Sequence, residues 1–128
     1  MTGFELFDKI HSVGLKALLI AKKELGLEHD IKIDTFFERN KKGGRVDDID
    51  TVYVNVGCTE FLGLSEEVLI KSISLVVAHE VRHIWQIEHD AFEFEESLDM
   101  EWADRPHEID AEKYAWSFVD RNENLILA

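Results

Sequence analysis

From Phe4 to Leu25, apolar residues fall at Phe4, Leu6, Phe7, Ile10, Val13, Leu15, Leu18, Leu19 and Leu25. That spacing is broadly helical, and Gly26 behind it is a natural C-terminal stop, so the chain is expected to open on a long helix. The pattern then changes period. Ile31 to Phe37 and Thr51 to Val56 are short β-rich runs, and Lys41-Lys42-Gly43-Gly44 between them reads as a turn. Arg45 to Ile49 leaves room for a short third strand. In the later run Val52, Val54 and Val56 share one face and Tyr53 and Asn55 the other, so one face can lie on a core.

The next segment, Leu69 to Ala78, is apolar on several sides, as a helix at the centre of a domain must be. Ser65 supplies its N-cap, Glu66 and Glu67 sit at the positive end of its dipole, and it is expected to run to about Glu88. Pro106 suits the first turn of a further helix, whose apolar face is Ile109, Ala111, Ala115, Phe118 and Val119. This helix reads as packed on the central one. The tail Asn122 to Ala128 ends in apolar residues that need cover, either from the body of the domain or from a cleft.

The central helix contains His79-Glu80-Val81-Arg82-His83, an HExxH motif. Histidines four apart on a helix lie about 40° apart, so both rings can reach one ion from the same side. Imidazole is a common zinc ligand, and Glu80 between the two is placed to act on a water that Zn2+ holds. A metal-free alternative makes them buried histidines with hydrogen-bond partners. A third protein ligand has two candidates. His89 has the HExxHxxGxxH spacing of metzincins, but Gln86 stands at the glycine position. If the helix continues through it, His89 lies about 240° around from His83. Glu108, in the first turn of the following helix, can complete a His, His, Glu set that leaves the fourth position to water. Ala111, one turn on, is small enough to let the two helices come close.

His79-Glu80-Val81-Arg82-His83 followed by Glu108-x-x-Ala111-Glu112-x-Tyr114-Ala115 resembles the gluzincin metallopeptidases, and among them small forms such as the minigluzincins and the ImmA/IrrE-type proteins. The resemblance implies a zincin-like α+β fold: an N-terminal helix, a small sheet of two or three strands, and a central HExxH helix packed on a second helix that carries the third ligand. It implies zinc on His79, His83 and Glu108, with Glu80 as general base. Glu112 stands where those families often have Asp or Asn hydrogen-bonded to a ligating histidine. The strand before the metal helix, Val52, Tyr53, Val54, Asn55 and Val56, would be the edge that receives an extended substrate, or else an ordinary inner strand. The implied reaction is zinc-dependent peptide-bond hydrolysis on a protein or peptide substrate, such as a repressor, with Glu80 taking the water proton and passing it to the leaving amine. Tyr114, His107, Arg105 and Tyr53 are open candidates for the oxyanion donor. The alternative is a metal-binding regulatory or interaction module with a protease fold and no turnover, which would not need Glu80. A helical scaffold with an accidental HExxH is a third reading.

At 128 residues the chain is expected to be a single domain, 1–128. Its net charge of −13 and pI near 4.7 argue against nucleic acid or an anionic membrane as partner and favour basic or unstructured protein segments. The acidic run Glu93 to Glu101 reads as a solvated connection that could also line a cleft. Cys58 is the only cysteine, so no internal disulfide is available, and a buried structural role is expected of it. No leader-like N-terminus or bilayer-length apolar stretch is evident, so the expected location is cytoplasmic.

Overall fold

The computed structural model describes residues 3–38, 42–46, 48–55, 63–92 and 99–128. Among them the order is helix α1 (Gly3–Glu24), strands β1 (Lys32–Phe36), β2 (Gly44–Val46) and β3 (Thr51–Asn55), helix α2 (Glu66–Glu88), a 3₁₀ turn (Trp102–Asp104) and helix α3 (Pro106–Ile126). The fold is therefore α+β with a small mixed sheet. Cys58, Val56 and Glu93 to Ser97 lie outside the described residues.

Each boundary has a local cause. Gly26 takes φ +67 just beyond α1, a left-handed conformation that costs little without a Cβ. Ser65 accepts from Val68 N through its side chain and so caps α2, with Glu66 and Glu67 in the first turn. Pro106 starts α3, where its missing N–H would have no helical partner in any case.

α2 is the central element, packed against α1, α3 and the sheet. Ile73, Val77, Val81 and Ile84 from α2 are fully buried with Ile10 and Leu18 of α1, Val52 and Val54 of β3 and Phe118 of α3. Ala111 and Ala115 are also fully buried, and their short side chains let α3 come close to its neighbours. The C-terminal tail continues α3: Ile126 is 3% exposed in this core, and Leu127 packs against it. The body of the domain, not a cleft, covers it.

The strand order is β1-β3-β2, with β1 parallel and β2 antiparallel to β3. This corrects the expectation that Val52, Tyr53, Val54, Asn55 and Val56 form a substrate edge. β3 has a hydrogen-bonded strand on each side, so it has no free row of N–H and C=O groups to offer a peptide. Of the three described strands, the one that is both an edge and next to α2 is β2. Asn55 has a different task. Its side chain is fully buried and bonds Glu38 N (2.9 Å), Glu38 O (2.8 Å) and Lys42 O (3.2 Å), which ties down both ends of the connection between β1 and β2.

A polar clamp joins the end of α1 to α3. Glu24 accepts from Tyr114 Oη (2.9 Å), Arg121 Nη2 (2.7 Å) and Asn122 Nδ2 (2.8 Å). Partial burial would raise its carboxyl, but these donors outweigh burial and hold it below its ordinary value of 4.5. A lowered native pKa contributes stability above the unfolded value and loses it as pH falls through the native one. Glu24→Gln is accordingly expected to cost about 1–2 kcal/mol near pH 7. Urea unfolding should show that gap closing as the pH is lowered below 4.5 and through the native value of Glu24.

Candidate metal centre

The middle of α2 turns His79, Glu80 and His83 toward the first turn of α3, and Glu108 faces them from there. All four side chains are nearly buried, with no residue more than 9% exposed. His79 Nε2 and His83 Nε2 lie 3.0 Å apart, and Glu108 Oε1 is 2.9 Å from the first and 2.7 Å from the second. The ligand atoms of His79, Glu80 and His83 fall within 4.8 Å of one another. This buried group could hold a metal ion.

The hydrogen positions follow from the neighbours. Gln86 Nε2 donates to His107 O and Asp110 Oδ2, both at 2.8 Å, so its amide oxygen faces His83 Nδ1 at 2.8 Å. An amide oxygen only accepts, which puts the hydrogen of His83 on Nδ1. His79 Nδ1 lies 2.7 Å from Glu112 Oε1, again an acceptor. That contact is close but out of line with the N–H, and Nδ1 is left without a well-formed hydrogen bond. Glu112 thus lies beside His79, close to Nδ1 but out of line with its N–H. Both Nε2 atoms face the Glu108 carboxylate, so a proton or a cation must lie between them.

A nitrogen and a carboxylate oxygen at these distances repel each other unless a proton or a metal cation lies between them. Tetrahedral zinc with bonds of about 2.0–2.1 Å would set its ligand atoms about 3.3 Å apart, against the 2.7–3.0 Å found here. The donor set is therefore of a size that could hold a metal ion. Without an ion, protons hold the group together. Burial alone would raise Glu108, but hydrogen bonds to His79 and His83 hold it well below the usual carboxylate range. Burial would lower His83, yet the hydrogen bond to Glu108 holds it above its ordinary value. Glu80 goes the other way: burial pushes its carboxyl up, and His83 and His79 only partly offset that.

A cavity of about 280 Å³ opens on these groups, lined also by Lys42, β2, Trp102 and His107. β2 can approach because Gly44 has no side chain: a Cβ there would meet Val76 Cγ1 at 2.5 Å and Glu80 Cγ at 3.1 Å. Trp102 stacks on the His79 ring with centroids 6.1 Å apart, and Lys42 Nζ lies 4.7 Å from the Trp102 centroid.

Other expected residues are elsewhere. His89 is the C-cap of α2, its ring stacked on Trp85 and its Nδ1 donating to Trp85 O, because the helix does continue through Gln86. Tyr114 donates to Glu24, Arg105 donates to Met100 O, and Tyr53 packs on Phe36 and Arg45. Of the four oxyanion candidates, His107 lines the cavity. Two features are not foreshadowed by the motif: the hydrogen bonds of Gln86 and the Arg82–Asp110 pair, whose two hydrogen bonds of 2.8 and 3.2 Å link α2 to α3. A fully buried Gln on a central helix was the available sign, since such an amide needs partners for three or four hydrogen bonds.

No protein-family model, curated protein or solved structure matches this chain. Among the described residues, no helix is long and apolar enough to cross a membrane.

The orienting role of Gln86 can be measured. Gln86→Leu keeps the volume but removes the acceptor for His83 Nδ1, and is expected to weaken metal affinity by about 10–100-fold in a chelator competition titration. Unaltered affinity would reduce Gln86 to packing.

Proposed function

We propose that this chain is a zincin-like, zinc-dependent peptidase in which His79, His83 and Glu108 hold the metal and Glu80 is the general base. The carrying observation is the convergence of His79 Nε2, His83 Nε2 and Glu108 Oε1 at 2.7–3.0 Å, with Glu80 beside them and a cavity opening on the group. A set of three protein ligands open on one side suits catalysis rather than structure. Zinc bound there would supply Lewis acidity toward the attacking water and the scissile carbonyl.

The residues divide the work. Glu80 accepts the proton of the water and returns it to the leaving amine, a role suited to a carboxyl whose burial has raised its proton affinity. Gln86 holds the ring hydrogen of His83 on Nδ1 and Glu112 lies beside Nδ1 of His79, which leaves both Nε2 atoms turned inward. Gly44 lets the β2 edge run directly against Glu80, so an extended peptide paired to that edge would pass the metal group. The acidic chain favours basic or unstructured protein segments as substrates.

Glu80→Gln tests the assignment. The variant is expected to retain stoichiometric zinc by metal analysis and to lose at least about 100-fold in kcat on a casein or peptide-library substrate. Hydrolysis at the wild-type rate by the Gln variant would remove Glu80 as base. Zinc retention with no wild-type hydrolysis of any peptide would favour a binding module.

A further inference from the structure

A second and larger cavity, of about 600 Å³, adjoins the metal group on the side of His79 and Glu80. Its floor includes Leu75 and Val76 of α2, and its walls include Trp102, Trp116 and Glu112, with Lys42 at the rim it shares with the first cavity. We propose that this cavity is a subsite for a basic side chain, Arg or Lys, of the bound peptide, with Glu112 as its counter-charge and the two tryptophans as its walls.

The chemistry of the lining selects a cation over a neutral group. The Glu112 side chain is 50% exposed on the cavity wall, and among the described residues its ion partner is His79 Nδ1, held out of line with the N–H. This side chain is thus open enough to meet a second donor. An apolar side chain lying against it would strip water from the charge and return no hydrogen bond, and a neutral polar one would return a hydrogen bond without the charge. An arginine or lysine returns both and leaves its methylene stem for Leu75 and Val76. Tryptophan faces attract cations; Trp102 is already engaged by the Lys42 ammonium at 4.7 Å and by the His79 ring, which leaves Trp116 as the face open to a guest. Trp116, 59% exposed in the same wall, has a large apolar surface with little of the domain against it. A net charge of −13 raises the local concentration of basic segments before any contact forms.

Glu112 is where this chain departs from the Asp or Asn of the families it resembles. A shorter acid would be confined to the histidine. The extra methylene puts the carboxylate at the cavity, so one residue can both face His79 and read the substrate.

The inference deepens the peptidase reading, yet it can be tested apart from turnover. Short blocked peptides of one sequence, carrying Arg, citrulline or norleucine at a single scanned position, would be titrated calorimetrically into zinc-loaded Glu80→Gln protein. At one position the Arg peptide is expected to bind at least about tenfold more tightly than both neutral forms. In the Glu80→Gln, Glu112→Gln double variant that ratio should fall to near one, and using the ratio cancels any general loss through His79. Adding Trp116→Ala to Glu80→Gln in place of the Glu112 change should reduce the ratio several-fold while circular dichroism and zinc content stay unchanged. Equal binding of the three peptides, no binding of any, or a ratio that survives Glu112→Gln would overturn the subsite. Hydrolysis of the same peptides by wild type separates the two ideas. An intact Arg preference without hydrolysis would sink the peptidase and keep the subsite, and hydrolysis without that preference would do the reverse.

Discussion

The meeting of two histidines and a carboxylate in a nearly buried pocket is the constraint around which this structure is arranged. Gln86 accepts from the outer nitrogen of His83 and Glu112 lies beside that of His79, so the inner nitrogens are left to meet the Glu108 carboxylate, through protons or through an ion. Two of the three donors belong to α2 and the third to α3. An ion at their meeting point would replace those protons and bond to both helices at once. On the proposed reading, helix packing and metal binding are then one equilibrium, and ordering of the α3 start and occupancy of the site rise together.

Around that point the helices are held by groups whose charges are already matched. Arg82 reaches Asp110 through two hydrogen bonds, and Gln86 adds a third contact to the same carboxylate. Burial would raise Asp110, but Arg82 and Gln86 outweigh it and keep the group ionised below its ordinary range. The Arg82 guanidinium also lies 3.8 Å from the Trp85 centroid. These contacts fix the rotation of α3 against α2, which decides whether Glu108 or a neighbour such as Ile109 faces the histidines.

What could be read in the chain was what local physics writes into it. Ser65 with two acids behind it, and Pro106 before an apolar stripe, mark where α2 and α3 begin, because capping acts within a single turn. The facing of His79 and His83 follows from helical period alone. Strand order is different, since nothing within Thr51 to Asn55 says whether a neighbour pairs on one side or both. β1 reaches β3 only after β2 has intervened in the chain, a tertiary choice that Val52 and Val54 serve equally well from an edge or from the middle. Trp102 and Lys42 were equally silent, as each comes to the cleft from a connection whose path is set by contacts far away in sequence. Asn55 shows the same limit: its buried amide works on Glu38 and Lys42, and no periodicity in its own strand announces that.

Gly44 gives the site its gauge. With no side chain there, the edge strand and Glu80 share one van der Waals surface, while Asn55 holds the preceding loop through Lys42 O. The strand can come no nearer to the helix without displacing the carboxylate, and can draw no farther away without breaking the amide's bonds. The position of the cavity rim relative to Glu80 is thereby set by the sheet rather than by a guest. On the proposed reading, a peptide would meet an edge already in place beside the general base.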